Sequence, residues 1–189
     1  ITFLGRTMTR AGDSIIFTVE LDYYKNIFNM VGLTNAKPTQ CPGAKTKELV
    51  DGGSALDSTM HALYRQIVGK LQWIVPIRYD LAYATKELAR ALTSPTTNDW
   101  HKLKHEVRYL SGTTHLGLVL RPQFRLGRSD LRLETLVYVD SDWAGSPDRK
   151  STTGIALFVL GVCILFTSRT QETIALSSGE AELYAIGSG

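Results

Sequence analysis

The sequence predicts an α+β protein: a helical region opened by a β-hairpin, then a three-stranded antiparallel sheet with one further helix. Three observations predict it. Between residues 57 and 112, three stretches carry apolar side chains at helical spacing and stop at proline or glycine. Apolar runs at 136–140, 154–160 and 164–168 are short, rich in β-branched and aromatic residues, and parted by turn residues. Between these regions lies a stretch with Pro122, Gly127 and several arginines, which reads as a seam. The expected organisation is therefore residues 1–120, a linker at 121–134, and a second domain at 135–189.

In chain order, Phe3–Arg10 and Ser14–Val19 flank Ala11-Gly12-Asp13, the pattern of a hairpin with a short glycine-containing loop. Leu21, Tyr24, Phe28 and Val31 then recur at helical spacing, with Gly32 at the C-terminal cap. Residues 34–57 hold Pro38, Pro42, Gly43, Gly52 and Gly53 among polar side chains and form an irregular connection.

Asp57 or Ser58 caps the next helix, whose apolar face is Leu63, Ile67, Leu71 and Ile74, and Pro76 stops it. A following helix carries Leu81, Ala84, Leu88 and Leu92 and ends before Pro95. A third starts near Asn98 or Asp99 and presents Trp100, Leu103, Val107 and Leu110. Each has one apolar stripe, so mutual packing buries all three and accounts for the stripes without any function. Leu116–Leu120 reads as a short strand.

Composition narrows the classes. A chain of 189 residues with 43% hydrophobic content can bury one ordinary core or two small ones. The formal net charge of +3 permits a polyanionic partner without demanding one. Cys41 and Cys163 stand far apart with no metal-ligand spacing and read as free thiols in a reducing compartment. The longest apolar run, Gly154–Phe166, is broken by Gly161 and is shorter than the roughly 20 residues of a membrane helix, so no span is expected. The chain opens on Ile1 and closes on Gly187-Ser188-Gly189 just after a helix begins. Both ends are expected to belong to something longer.

The chemistry concentrates at two places. On the third helix, His101, Lys102, Lys104, His105 and Arg108 make a basic face. His101 and His105 lie four apart, but a metal site needs three or four converging ligands. A solvated face, or one that touches phosphates, explains these residues better. The second place is the end of the first strand of the sheet, Val137-Tyr138-Val139-Asp140-Ser141-Asp142, together with the start of the last helix. There Ser177-Ser178-Gly179-Glu180 fits a capping box and gives Glu180 a structural task. Glu182, about 200° around the helix from Glu180, borders the buried side with Leu183 and Ile186. A carboxylate pressed against a sheet beside another acid is costly as an anion without a cation. That motivates Mg²⁺ between Asp140 and Glu182, with Asp142 as a helper, against the plain alternative of two solvated acids at element ends.

Three motifs carry a resemblance. Val139-Asp140-Ser141-Asp142-Trp143-Ala144-Gly145, Arg149-Lys150-Ser151-Thr152-Thr153-Gly154 and Ser177-Ser178-Gly179-Glu180-Ala181-Glu182 resemble the ribonuclease H domain of copia-type retrotransposon polyproteins. Upstream, Phe3-Leu4-Gly5 with its hairpin resembles the primer grip of the reverse transcriptase. Tyr64–Leu71, Ser94-Pro95-Thr96, Trp100 and Arg108–Thr113 resemble the thumb and connection that follow. The chain departs from the family at Tyr79, where proline is usual in Arg78-Tyr79-Asp80, at Glu20 for a common glutamine, and at Phe166 for a common tryptophan.

The resemblance implies a thumb- and connection-like helical segment followed by a truncated ribonuclease H-like three-stranded antiparallel sheet plus helix. It makes Asp140 and Glu182 catalytic and metal-binding, with Mg²⁺ as cofactor, in a site that normally uses four carboxylates and two ions. The other two acids, and the polymerase aspartates, are expected outside residues 1–189. Leu4, Gly5, Lys104 and Arg108 become nucleic-acid-binding candidates. The implied partners are an RNA–DNA hybrid or primer–template and the rest of the Pol polyprotein, with no membrane. The implied location is intracellular, in the cytoplasm, a virus-like particle or the nucleus. Beside this stand two other readings: a nucleic-acid-binding piece or relic without catalysis of its own, and a host protein with an adopted core.

Overall fold

The computed structural model describes residues 1–3, 5–43, 53–122, 134–145 and 148–188. Leu4 and most of the linker at 121–134 lie outside the described residues. The fold is α+β, and the chain forms two compact units: Ile1–Thr9 with Phe17–Leu118, and Arg10–Ile16 with Val119–Gly189.

The first strand expected at Phe3–Arg10 is broken. Strand β1 (Thr2–Phe3) folds back on β2 (Arg6–Ala11), pairing Thr2 with Thr7 and Phe3 with Arg6. Gly5 makes this reversal possible at φ +74°, a conformation that costs a side chain its Cβ clearance. β3 (Ser14–Val19) completes the hairpin, and β4 (Leu118–Leu120) extends the sheet, whose order is β1-β2-β3-β4. A Cβ at Gly117 would collide with the carbonyl oxygen of Phe17. Gly117→Ala is therefore expected to cost about 1–3 kcal/mol, read as a lower thermal midpoint.

Helix α1 (Leu21–Val31) buries Tyr24, Ile27, Phe28 and Val31 and ends on Gly32 at φ +72°, as its spacing predicts. Leu21, placed on the same stripe by periodicity, is instead 55% exposed, because at the first position it precedes the packed turns. Helix α2 (Ser58–Ile74) is capped by Asp57, whose carboxylate accepts from the Met60 N–H. Val75–Ile77 and Tyr79–Leu81 form two 3₁₀ turns before α3 (Ala82–Arg90), so the second apolar stripe begins before its helix does. Helix α4 (Thr97–Gly112) begins ahead of the expected Asn98 or Asp99 and is capped by Thr96. The Thr96 hydroxyl and Asp99 carboxylate bond reciprocally with each other's backbone. Ile67, Leu71, Ile74, Leu81, Leu103, Val107 and Leu110 are fully or almost fully buried in one cluster with the inner face of α1.

Two charged residues go in with them. Arg78 is 2% exposed and Glu106 is 1% exposed. Arg78 donates from Nε and Nη2 to the two Asp80 oxygens at 2.9 and 2.7 Å, and from Nη1 to the Thr113 carbonyl at 2.8 Å.

The second unit holds β5 (Thr135–Asp142), β6 (Thr152–Val159) and β7 (Val162–Thr170) in the antiparallel order β5-β6-β7. Leu160 (φ +51°) and Gly161 (φ +76°) form the turn that the break in the apolar run predicts. Helix α5 (Ser178–Ser188) packs on the sheet through Ala181 and Ala185, both 0% exposed.

Candidate functional site

Asp140 sits in β5 opposite Gly154, and Asp142 opposite Thr152. The Leu160 N–H donates to the Glu134 carbonyl at 2.9 Å, and the Thr152 N–H points across to β5, where it donates to the Asp142 carboxylate. Even-numbered residues of β5 thus turn their backbone groups toward β6, and odd-numbered residues turn theirs to the outer edge of the sheet. At that edge the Ser141 N–H donates to Glu182 Oε1 at 3.3 Å. The glutamate on α5 and the aspartate on β5 are therefore brought to the same strand end, one residue apart.

They leave from different sides. Side chains alternate along a strand, so Asp140 shares a face with Tyr138, whose ring meets Phe158 edge-on at 5.5 Å. Val139 and Ser141 share the other face with Thr153 and Ile155, which α5 covers. Glu182 reaches β5 from the helix side and stops on its backbone. A group shared by the two acids would lie at the strand edge and not over the helix-covered face. Hard carboxylate oxygens suit Mg²⁺, but among the described residues no three His, Cys, Asp or Glu side chains converge. The described residues do not by themselves form a two-ion site.

Asp142, weighed as a helper ligand, is held at the turn after β5. One oxygen takes the Thr152 N–H, and the other packs so closely on Gly145 that a Cβ there would clash. It closes the turn after β5, as the Ser151 hydroxyl does by accepting from the Ala144 N–H at 3.1 Å. Glu180 has the structural role that its motif predicts. Its own N–H donates to Ser177 Oγ at 3.1 Å, and its carboxylate reaches back to the Leu176 N–H at 2.6 Å, one residue beyond the expected partner.

In the first unit, Arg108 is exposed and the Lys104 ammonium lies 5.9 Å from the Trp100 ring centre. His105 Nε2 is 3.1 Å from the Cys41 carbonyl oxygen and so fastens a loop to α4. A Cβ on Gly5 would lie 3.4 Å from the Trp73 ring. Sequence reading missed what surrounds that ring. Arg6 lies over it at 4.8 Å and donates to the Trp73 carbonyl at 2.7 Å. Tyr23 packs on it with centroids 4.6 Å apart, and Lys70 lies over Tyr23 at 4.8 Å. The signal was the alternation of aromatic and cationic residues across three separate elements, which no single window contains.

A three-stranded antiparallel sheet followed by a helix whose glutamate meets the first strand is consistent with a ribonuclease H-like half-domain. The chain is 31% identical over 97% of its length to the uncharacterized mitochondrial protein AtMg00810 of Arabidopsis thaliana, of which it spans 73%. It is 32% identical over 87% of its length to the retrovirus-related Pol polyprotein from transposon RE2 of the same plant, of which it spans 11%. Over 65% of its length it is 35% identical to secreted RxLR effector protein 161 of Plasmopara viticola, of which it spans 83%. The chain belongs to the family of copia-type retrotransposon Pol polyproteins. No protein-family model and no solved structure matches it.

Proposed function

We propose that this chain spans the end of a copia-type reverse transcriptase and the first half of its ribonuclease H domain. In the polyprotein it contributes to holding primer–template and to hydrolysing the RNA strand of RNA–DNA hybrids. The observation that carries the reading is the bond from the Ser141 N–H to Glu182, which brings that glutamate to the residue next to Asp140. Two acids far apart in sequence thereby reach one strand end, where an ion held at the strand edge could be shared between them. Asp140 is exposed on the strand, and Glu182 is oriented by a backbone donor. Further acids from the rest of the polyprotein would complete the site, and Mg²⁺ is the ion that such carboxylates would bind. Lys104 and Arg108 on α4, with Gly5 and Arg6 near Trp73, supply cations and a close backbone approach for a phosphate chain. Among the described residues no helix is long and apolar enough to cross a membrane, and the reading puts the chain inside the cell with its polyprotein.

The test is cleavage of a labelled RNA–DNA hybrid by the longer polyprotein that contains this chain. Asp140→Asn and Glu182→Gln are each expected to slow RNA cleavage by about 100-fold or more. Full activity in either variant rejects the assignment of that residue.

A further inference from the structure

We propose that Gln171 is a positioning residue for Glu182, setting the rotation and height of α5 on the sheet so that this glutamate lands on β5. The inference rests on the reading of the β5 end as the functional site.

Gln171 directly follows β7, and its own N–H donates to the Ser151 carbonyl at 2.8 Å, which fixes its backbone. Its side chain is buried, and Nε2 donates to Thr153 Oγ1 at 3.0 Å and to the Ala181 carbonyl at 2.8 Å. A carbonyl only accepts, so the Ala181 bond also fixes which way the amide faces. One side chain thus ties β6 to α5 at the residue immediately before Glu182.

The helix needs such a tie. Its sheet-facing residues are Ala181 and Ala185, whose methyl groups allow close approach but interlock weakly against sliding or rotation. A hydrogen bond is directional and resists both. The loop before α5 has a second tether, the Trp143 indole N–H on the Ala175 carbonyl at 3.1 Å, but that lies ahead of the helix. The Ser141–Glu182 bond is long at 3.3 Å and cannot hold the helix by itself. One residue of rotation, about 100°, would carry Glu182 away from Ser141 altogether. The arrangement leaves Gln171 Oε1 buried without a protein partner, a cost that a residue kept only for its own satisfaction would not bear.

The test uses the full chain, labelled with ¹⁵N, and follows hydrogen exchange of the Ser141 amide at one fixed pH, since its acceptor in the fold is Glu182 Oε1. Glu182→Ala is expected to abolish the protection of that amide. In Gln171→Leu the protection is expected to fall by about tenfold while the amides paired between β5 and β6 keep theirs and the thermal transition stays cooperative. Should Gln171→Leu fail to fold, Thr153→Val removes one of the two amide partners and is expected to reduce the protection in the same sense. Unchanged Ser141 protection in the folded variant overturns the proposal. Hybrid cleavage is a separate readout: loss of the functional reading with an intact Gln171 effect on Ser141 leaves the brace standing.

Discussion

Arg78→Ala is expected to destabilise the chain by about 3–5 kcal/mol, seen as a large drop in the denaturation midpoint followed by far-ultraviolet circular dichroism. The Arg78 side chain is 1% exposed, and its guanidinium grips Asp80 with two parallel bonds while donating to both the carbonyl and the hydroxyl of Thr113. It thereby joins the link between α2 and α3 to the C-terminal end of α4, where helix carbonyls lack intrahelical partners. Truncation empties the buried Arg78 site and leaves the Thr113 carbonyl and the partly solvated Asp80 carboxylate short of donors, a penalty that exceeds the net worth of the pair. Arg78→Lys keeps the charge and loses the fork, so an intermediate loss is expected. Burial alone would push the Asp80 carboxyl up; the bonds from Arg78 and Tyr109 outweigh it and hold Asp80 below the ordinary carboxylate range. A depressed acid stabilises the fold above its unfolded pKa and loses that contribution as pH falls through the folded one. Acid should therefore weaken the protein through Asp80, and Asp80→Asn should remove that limb. An Arg78→Ala midpoint within error of the original would rule out the clamp.

Glu106 acts in the opposite sense. It lies on α4 with one oxygen accepting from Thr85 Oγ1 at 2.5 Å and the other buried without a partner. Burial pushes its carboxyl up to about 8; the Thr85 hydroxyl offsets part of this, and nearby Asp80 adds to it. A raised acid binds its proton more tightly in the folded state, so stability falls as pH climbs from the ordinary carboxylate value toward about 8, by roughly 4 kcal/mol in all. Glu106→Gln keeps the shape and the acceptor and has no charge to bury. Its midpoint is expected to be nearly flat over that window and higher than that of the unmodified chain at pH 8. A variant that melts lower at every pH would show that the carboxylate is compensated by something the buried geometry does not contain. Together the two acids give the first unit its greatest stability in mildly acidic solution, with Asp80 limiting the acid side and Glu106 the alkaline side.

Neither burial was legible in the sequence. Glu106 lies between Leu103 and Val107, at the border of the α4 stripe, where a glutamate reads as a solvated rim. Arg78 follows Pro76 in a stretch that reads as a connection between helices. Whether such a charge is exposed or buried depends on Thr85, Thr113 and Tyr109, which are 21 to 35 residues away or on another element. The aromatic and cationic stack of Arg6, Tyr23, Lys70 and Trp73 escaped for the same reason. The strand break at Gly5 was hidden because apolar and β-branched residues continue on both sides of it, and periodicity does not register a reversal.

The site was half legible. Asp140 and Glu182 stand out by motif, and the strand and the helix that carry them follow from short-range pattern. The order of strands, turn and helix was sufficient to bring Glu182 to the strand that carries Asp140. What pattern did not reveal was on which side each acid leaves the sheet. Alternation along β5 sets Asp140 with Tyr138, while α5 lies over Val139 and Ser141, so Glu182 meets the strand's backbone at its edge. Nor did it reveal that Asp142 helps to close the turn after β5.

By itself, then, the amino-acid order determined the succession of the long helices, the apolar faces of α1, α2 and α4, the antiparallel β5-β6-β7 ladder, and the strand and helix that carry the two candidate acids. These depend on periodicity and turn chemistry, which act over a few residues. Only the tertiary structure decided that Arg78 and Glu106 are buried and that Gln171 ties α5 to β6. It alone put Glu182 at the open edge of β5, because each of these depends on the direction of a side chain toward a partner distant in sequence.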